Sequence, residues 1–275
     1  MSGVKVWVIS GIVYLTAVIA GYSFITGENP LTSGEMHEDH GADHEEVTEN
    51  VHDDGVHDGH GEPSGEQTVE VGVTFEGGLI QVKVQDEYGH GPTLLETHER
   101  LMHLIVVRDD LEEFHHFHPE KIDDGLFETE ASLNDGQYYV FVDMKPEGEK
   151  YVIEPIRIHA GEATERNVGL SADEELLQVE NGKEVELSFS ELVSGEHVTL
   201  SFDLKGETPM SYLGALGHVV IIDENIEQFI HVHPTSKEST DFDAYFPEQG
   251  AYKVWAEFKF EDEDVLVFPF VVEVE

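Results

Sequence analysis

Two stretches of the chain carry three histidines at one spacing. Leu101 to Pro119 reads LMHLIVVRDDLEEFHHFHP, and Leu216 to Pro234 reads LGHVVIIDENIEQFIHVHP. An offset of 115 residues superposes them without a gap. His103 then falls on His218, Phe114 on Phe229, His116 on His231, His118 on His233 and Pro119 on Pro234. Three neutral imidazoles suit zinc, copper or nickel, and can converge on one ion through bonds of about 2.0–2.1 Å. The competing reading is structural: histidines that cap strands or hydrogen-bond loop backbone. The two copies differ at most other positions yet keep all three histidines, which favours a metal site in each, His103/His116/His118 and His218/His231/His233. The chain has no cysteine, so thiolate sites, disulfides and cysteine nucleophiles are excluded, while 17 histidines make imidazole the obvious donor.

Such a site needs a hairpin. Leu104 to Val107 is a continuous apolar run, as in a strand buried on both faces. A turn centred between Asp110 and Leu111 sets His103 opposite His118, with His116 on the same side two residues earlier. Opposed residues have Cβ atoms about 4.5–5.5 Å apart, close enough for convergence. In the second copy the turn centres between Asn225 and Ile226. Proton competition at ordinary imidazoles places the loss of metal near pH ~6.5. Phe114 and Phe229 read as core, and Pro119 and Pro234 as strand ends, since proline donates nothing to a ladder. His98 and His115 occur only in the first copy and read as solvated. Met102 and Met210 are candidate thioether donors to copper(I), at non-equivalent positions.

The repeat extends further. Phe127 matches Phe242; after one deletion the offset becomes 114, and Gly136 matches Gly250, Tyr138 matches Tyr252 and Pro155 matches Pro269. Val69–Phe75, Leu79–Val84, Tyr138–Met144, His197–Leu204 and Tyr252–Phe258 alternate as strands do. Turn residues such as Asn134-Asp135-Gly136 and Pro247-Glu248-Gln249-Gly250 separate them. The fold class is therefore all-β: two tandem immunoglobulin-like or cupredoxin-like β-sandwich modules, at 68–160 and 183–275. Residues 161–182 read as an acidic linker with a short helical turn at Ala172 to Leu177.

Ahead of the modules, Val6 to Ile25 are twenty uncharged, mostly apolar residues preceded by Lys5, and the next basic residue is Lys83. Residues 1–26 thus read as a transmembrane anchor with its amino terminus inside, or as a cleaved signal segment with Val18-Ile19-Ala20 at its cleavage site. Both place the bulk of the chain outside the cytoplasm. Residues 27–67 read as a disordered acidic tether, whose His37, His40, His44, His52, His57 and His60 hold metal weakly or merely join a polar spacer. A net charge of −45 makes nucleic acid and anionic membrane surfaces poor partners and cations natural ones. Solvation in high salt or at alkaline pH is the simpler reading of the acidity, which alone identifies no ligand.

Tyr212 to Pro234, YLGALGHVVIIDENIEQFIHVHP, with Leu101 to Pro119 as its sister, resembles a signature of extracytoplasmic bacterial β-domains of the YtkA-like and FixH-type group. Some of these accompany heavy-metal or copper-handling systems. The resemblance covers both modules, and it alone ranks copper above zinc. The His-x-His element is also similar to a strand of copper–zinc superoxide dismutases, without that family's cysteine pair. The leading expectation is an anchored protein that captures, buffers or delivers copper or zinc, with a membrane metal transporter or a metalloenzyme as recipient. A copper-dependent redox enzyme and a metal-free adhesion scaffold are the alternatives. No hydrolase, phosphate-loop or nucleotide motif is present.

Overall fold

The computed structural model describes residues 67–162, 169–261 and 264–275. The segments expected to form an anchor (1–26) and, but for residue 67, a tether (27–67) lie outside them. No α-helix occurs among the described residues; they form seventeen strands.

The first module holds β1 (Val69–Glu76), β2 (Leu79–Asp86), β3 (Leu94–Leu95), β4 (Met102–Arg108), β5 (Phe114–Phe117), β6 (Glu120–Asp123), β7 (Leu126–Glu130), β8 (Gly136–Pro146) and β9 (Ile156–Ala160). One sheet runs β1-β2-β7-β6, the other β3-β8-β4-β5 with β9 also on β8. The second module holds β10 (Leu177–Glu180), β11 (Lys183–Ser188), β12 (His197–Asp203), β13 (Gly217–Asp223), β14 (Phe229–Pro234), β15 (Asp241–Tyr245), β16 (Gly250–Lys259) and β17 (Val265–Val274). Its strands run β10-β11-β12-β15-β14-β13-β16-β17, and β14 links the two layers. In both copies a tyrosine hydroxyl donates to a carbonyl four residues upstream, Tyr138 to Asn134 at 3.0 Å and Tyr252 to Glu248 at 2.9 Å. This corner is a hallmark of immunoglobulin-like sandwiches.

Alternation along the strands builds three cores rather than two. Leu104, Val106, Tyr138, Val140 and Val142 face inward in module 1, and Val219, Ile221, Tyr252 and Val254 do so in module 2. The opposite faces of the same strands meet each other. Ile105, Val107, Leu111 and Phe141 pack against Val220, Ile222, Ile226 and Trp255. That contact explains why β4 and β13 are apolar on both faces. Phe114 and Phe229 belong to this third core and not to their own modules' interiors: Phe114 stacks on Trp255 and Phe229 on Phe141, each at 4.8 Å between ring centroids.

One expectation changes and one holds. No helical turn forms at Ala172 to Leu177; Leu177 already opens β10, because it pairs with Glu186 of β11. Pro234 does end its strand, as the last residue of β14. It pairs with Phe242 where β14 crosses from one layer to the other, a place where the missing N–H costs little.

Candidate metal centre

The hairpin register is the expected one. Leu104 pairs with Phe117 and Ile105 with His116, which carries His103 opposite His118. Val219 pairs with Val232 and Val220 with His231, which carries His218 opposite His233. Side chains two apart share a face, so His103, His116, His218 and His231 all lie on the faces that meet between the modules.

One nitrogen from each of His103, His116 and His118 lies within 4.8 Å of the other two. The hydrogen bonds show which nitrogens face inward. His103 Nε2 donates to the Thr97 carbonyl at 3.0 Å, since a carbonyl can only accept. His116 Nδ1 donates to the Glu257 carboxylate at 2.6 Å. That leaves the lone pairs of His103 Nδ1 and His116 Nε2 facing each other at 3.0 Å. A proton between them makes one ring an imidazolium, whereas a metal ion accepts both lone pairs. Tetrahedral ligation with bonds of about 2.0–2.1 Å separates ligand nitrogens by about 3.3 Å, so the gap needs to open only slightly. His118 Nε2 is buried and has no hydrogen-bond partner among the described residues. Buried polar atoms without partners are uncommon and call for an explanation.

The second copy repeats the scheme. His218 Nε2 donates to the Tyr212 carbonyl at 3.0 Å, and His231 Nδ1 donates to the Asp143 carboxylate at 2.6 Å. The two sets meet: His231 lies 5.5 Å from His103 and 6.0 Å from His116 between ring centroids. The side chain of His233 lies outside the described residues.

Burial favours the neutral form of three of these rings. The His103 imidazole is pushed well down by burial, then by His231 and His116. Burial first, then His116, lowers His118 to about 3, and burial with His231 lowers His218 to about 4. Neutral imidazole is the form that binds metal.

His98 is not solvated as expected. It is half-buried, with its ring 5.8 Å from His103, 5.8 Å from His218 and 5.6 Å from His231. It sits in a two-residue turn with Glu99, both at positive φ, bridged by Thr97 and Arg100. Leu213 and Gly214 repeat that turn between Tyr212 and Ala215. Two positive-φ residues mark a type I′ turn, which is why the second copy carries a glycine there. His115 pairs with Glu113 at 3.0 Å and stacks on Phe117, also half-buried and off the site face. Met102 points into the core of module 1, on the face of β4 opposite His103. Met210 is exposed and bridges to Lys259.

Sequence reasoning missed Asp143 and Glu257. The 114-residue offset that aligns Tyr138 with Tyr252 also aligns them, but two acids among 59 carry no signal by type.

The family described as "Domain of unknown function (DUF8832)" matches residues 66–160 and 178–275. No curated protein matches the chain. Among solved structures, a two-domain fibronectin type III segment of chicken tenascin is 14% identical, covering 76% of this chain and 98% of that one, with a TM-score of 0.24. The FN1–FN3 domains of chicken CNTN1 are 12% identical, covering 75% and 66%, with a TM-score of 0.21. Salmonella alpha-2-macroglobulin is 11% identical, covering 75% and 15%, with a TM-score of 0.24. At such scores these likenesses carry no argument about the site.

Proposed function

Because the chain belongs to the DUF8832 family and carries its domain twice, a description that states no activity, we propose from the site itself that it binds a transition metal. The supporting observation is the set His103, His116 and His118: one nitrogen of each lies within 4.8 Å of the other two, the outer nitrogens of His103 and His116 are already committed to a carbonyl and a carboxylate, and His118 Nε2 is buried without a hydrogen-bond partner among the described residues. Copper, zinc and nickel all accept such donors. Copper ranks first through the resemblance of Leu101–Pro119 and Tyr212–Pro234 to domains some of which accompany heavy-metal or copper-handling systems. The role is capture, buffering or delivery by an anchored, extracytoplasmic protein, with a membrane transporter or a metalloenzyme as recipient. Mass spectrometry of the mature protein tests the anchor; an amino terminus at Gly21 would mean a cleaved signal segment.

Metal content decides the main claim. In the full-length chain with the six tether histidines changed to asparagine, His116→Ala with His118→Ala should remove one equivalent of copper or zinc. Unchanged content after mild purification would defeat the assignment, and a parent chain with no metal would favour a scaffold. Three imidazoles leave a coordination position open, which keeps a redox enzyme as the second reading. Turnover of superoxide or of a reducing substrate by the loaded protein separates the two.

A further inference from the structure

The two carboxylates nearest the histidines serve the wrong modules. Asp143 pairs with His103 across β8 and β4, yet it accepts from His231 of module 2 at 2.6 Å. Glu257 pairs with His218 across β16 and β13, yet it accepts from His116 of module 1 at 2.6 Å. The His116 and Glu257 side chains are 3% and 8% exposed, and those of His231 and Asp143 are 5% and 15%. Neither contact is a surface pairing. A carboxylate buried this deeply costs stability unless it is hydrogen-bonded, and here the donor comes from across the module boundary both times.

We propose that Glu257 and Asp143 are reciprocal positioning residues, each fixing the tautomer and ring direction of a metal-binding histidine in the other module. The inference rests on the metal-binding reading above. Metal-ligating histidines are commonly held by a carboxylate on the second ring nitrogen, which orients the ring and raises its basicity, and loss of that partner weakens binding 10–100-fold. Here the carboxylate is supplied across an interface. Module 1 alone has the three imidazoles but lacks the group that aims one of them. Metal affinity and module docking are therefore thermodynamically linked: an ion on His103, His116 and His118 strengthens the docked state, and undocking weakens its hold.

Glu257→Gln is the discriminating variant. Its amide oxygen can still accept from His116 Nδ1 while the charge is gone. In the full-length chain with the tether histidines replaced, competition against a chromophoric copper(II) chelator should show affinity at the His103 centre falling about 10–100-fold. The parallel hyperfine coupling of the bound copper(II) should shift as well. The metal-free variant should melt at or above the parent's temperature, because a buried charge has been removed, while the rise on adding metal shrinks. A merely structural role predicts the reverse, a lower metal-free melting temperature with unchanged affinity. Glu257→Gln binding copper as tightly as the parent overturns the proposal and leaves the metal site standing. A parent chain that binds no copper removes both.

Discussion

At the residue scale, the histidines set a pH dependence that the ordinary imidazole value does not give. An unfolded chain titrates its histidines near pH ~6.5. In the fold His118 is lowered to about 3 and His218 to about 4, with His103 also pushed well down. Between those values and ~6.5 the unfolded state binds more protons than the folded one, so their effect on stability falls as pH falls. The metal-free protein should therefore melt at progressively lower temperature from pH 7.5 to 5, a window in which ordinary carboxylates stay mostly ionised. A flat or rising melting temperature across that window in scanning calorimetry would contradict it. The loaded protein should keep its metal well below the pH ~6.5 expected of free imidazoles, since burial keeps the His118 imidazole neutral down to about pH 3. Much of this centre was legible. Repetition of His103, His116 and His118 in a second copy identified the residues, and period-2 geometry put them on one face. Burial was not legible, because the second module that covers them lies 115 residues away.

At the element scale, the strands that carry the histidines also carry the contact between the modules. β4 reads apolar at Leu104, Ile105, Val106 and Val107 because even and odd positions face different cores. Sequence pattern revealed the double burial without the partner, since a neighbouring module and a deeper layer of the same sandwich leave one signature. The hairpin tips contribute too. Leu111 and Ile226 are buried in the contact at φ 57° and 60°. A β-branched residue such as Ile226 rarely adopts that backbone, and its burial between the modules offsets the strain. Trp255 anchors the same cluster by stacking on Phe114. Trp255→Ala should cost about 3–5 kcal/mol in denaturant unfolding followed by circular dichroism. Ile122→Ser, at a position 54% exposed, should stay within about 0.5 kcal/mol. Equal effects from the two would show that the contact contributes little.

At the scale of the whole molecule, the duplication is a pair of complementary halves and not two copies on a string. Two histidine trios stand with equal weight in the sequence; the structure sets rings of both within one cluster, and the carboxylates cross from each module to the other. Residues 66–162 produced alone should expose Ile105, Val107 and Phe141, bind a hydrophobic dye and self-associate in analytical ultracentrifugation. Ile105→Asp with Val107→Asp should return them to monomer. A dye-silent monomer from the unmodified fragment would mean that the contact face is not sticky by itself. That face has a consequence for biosynthesis. Module 1 is complete at Ala160, and β17 ends 114 residues later at Val274. At about 5–20 residues per second, the ribosome needs roughly 6–23 s to supply the covering half. Throughout that interval the nascent chain presents a flat apolar patch bordered by imidazoles, so chaperone access and the spacing of ribosomes along the message decide whether module 1 waits for its own sister or joins a neighbour's.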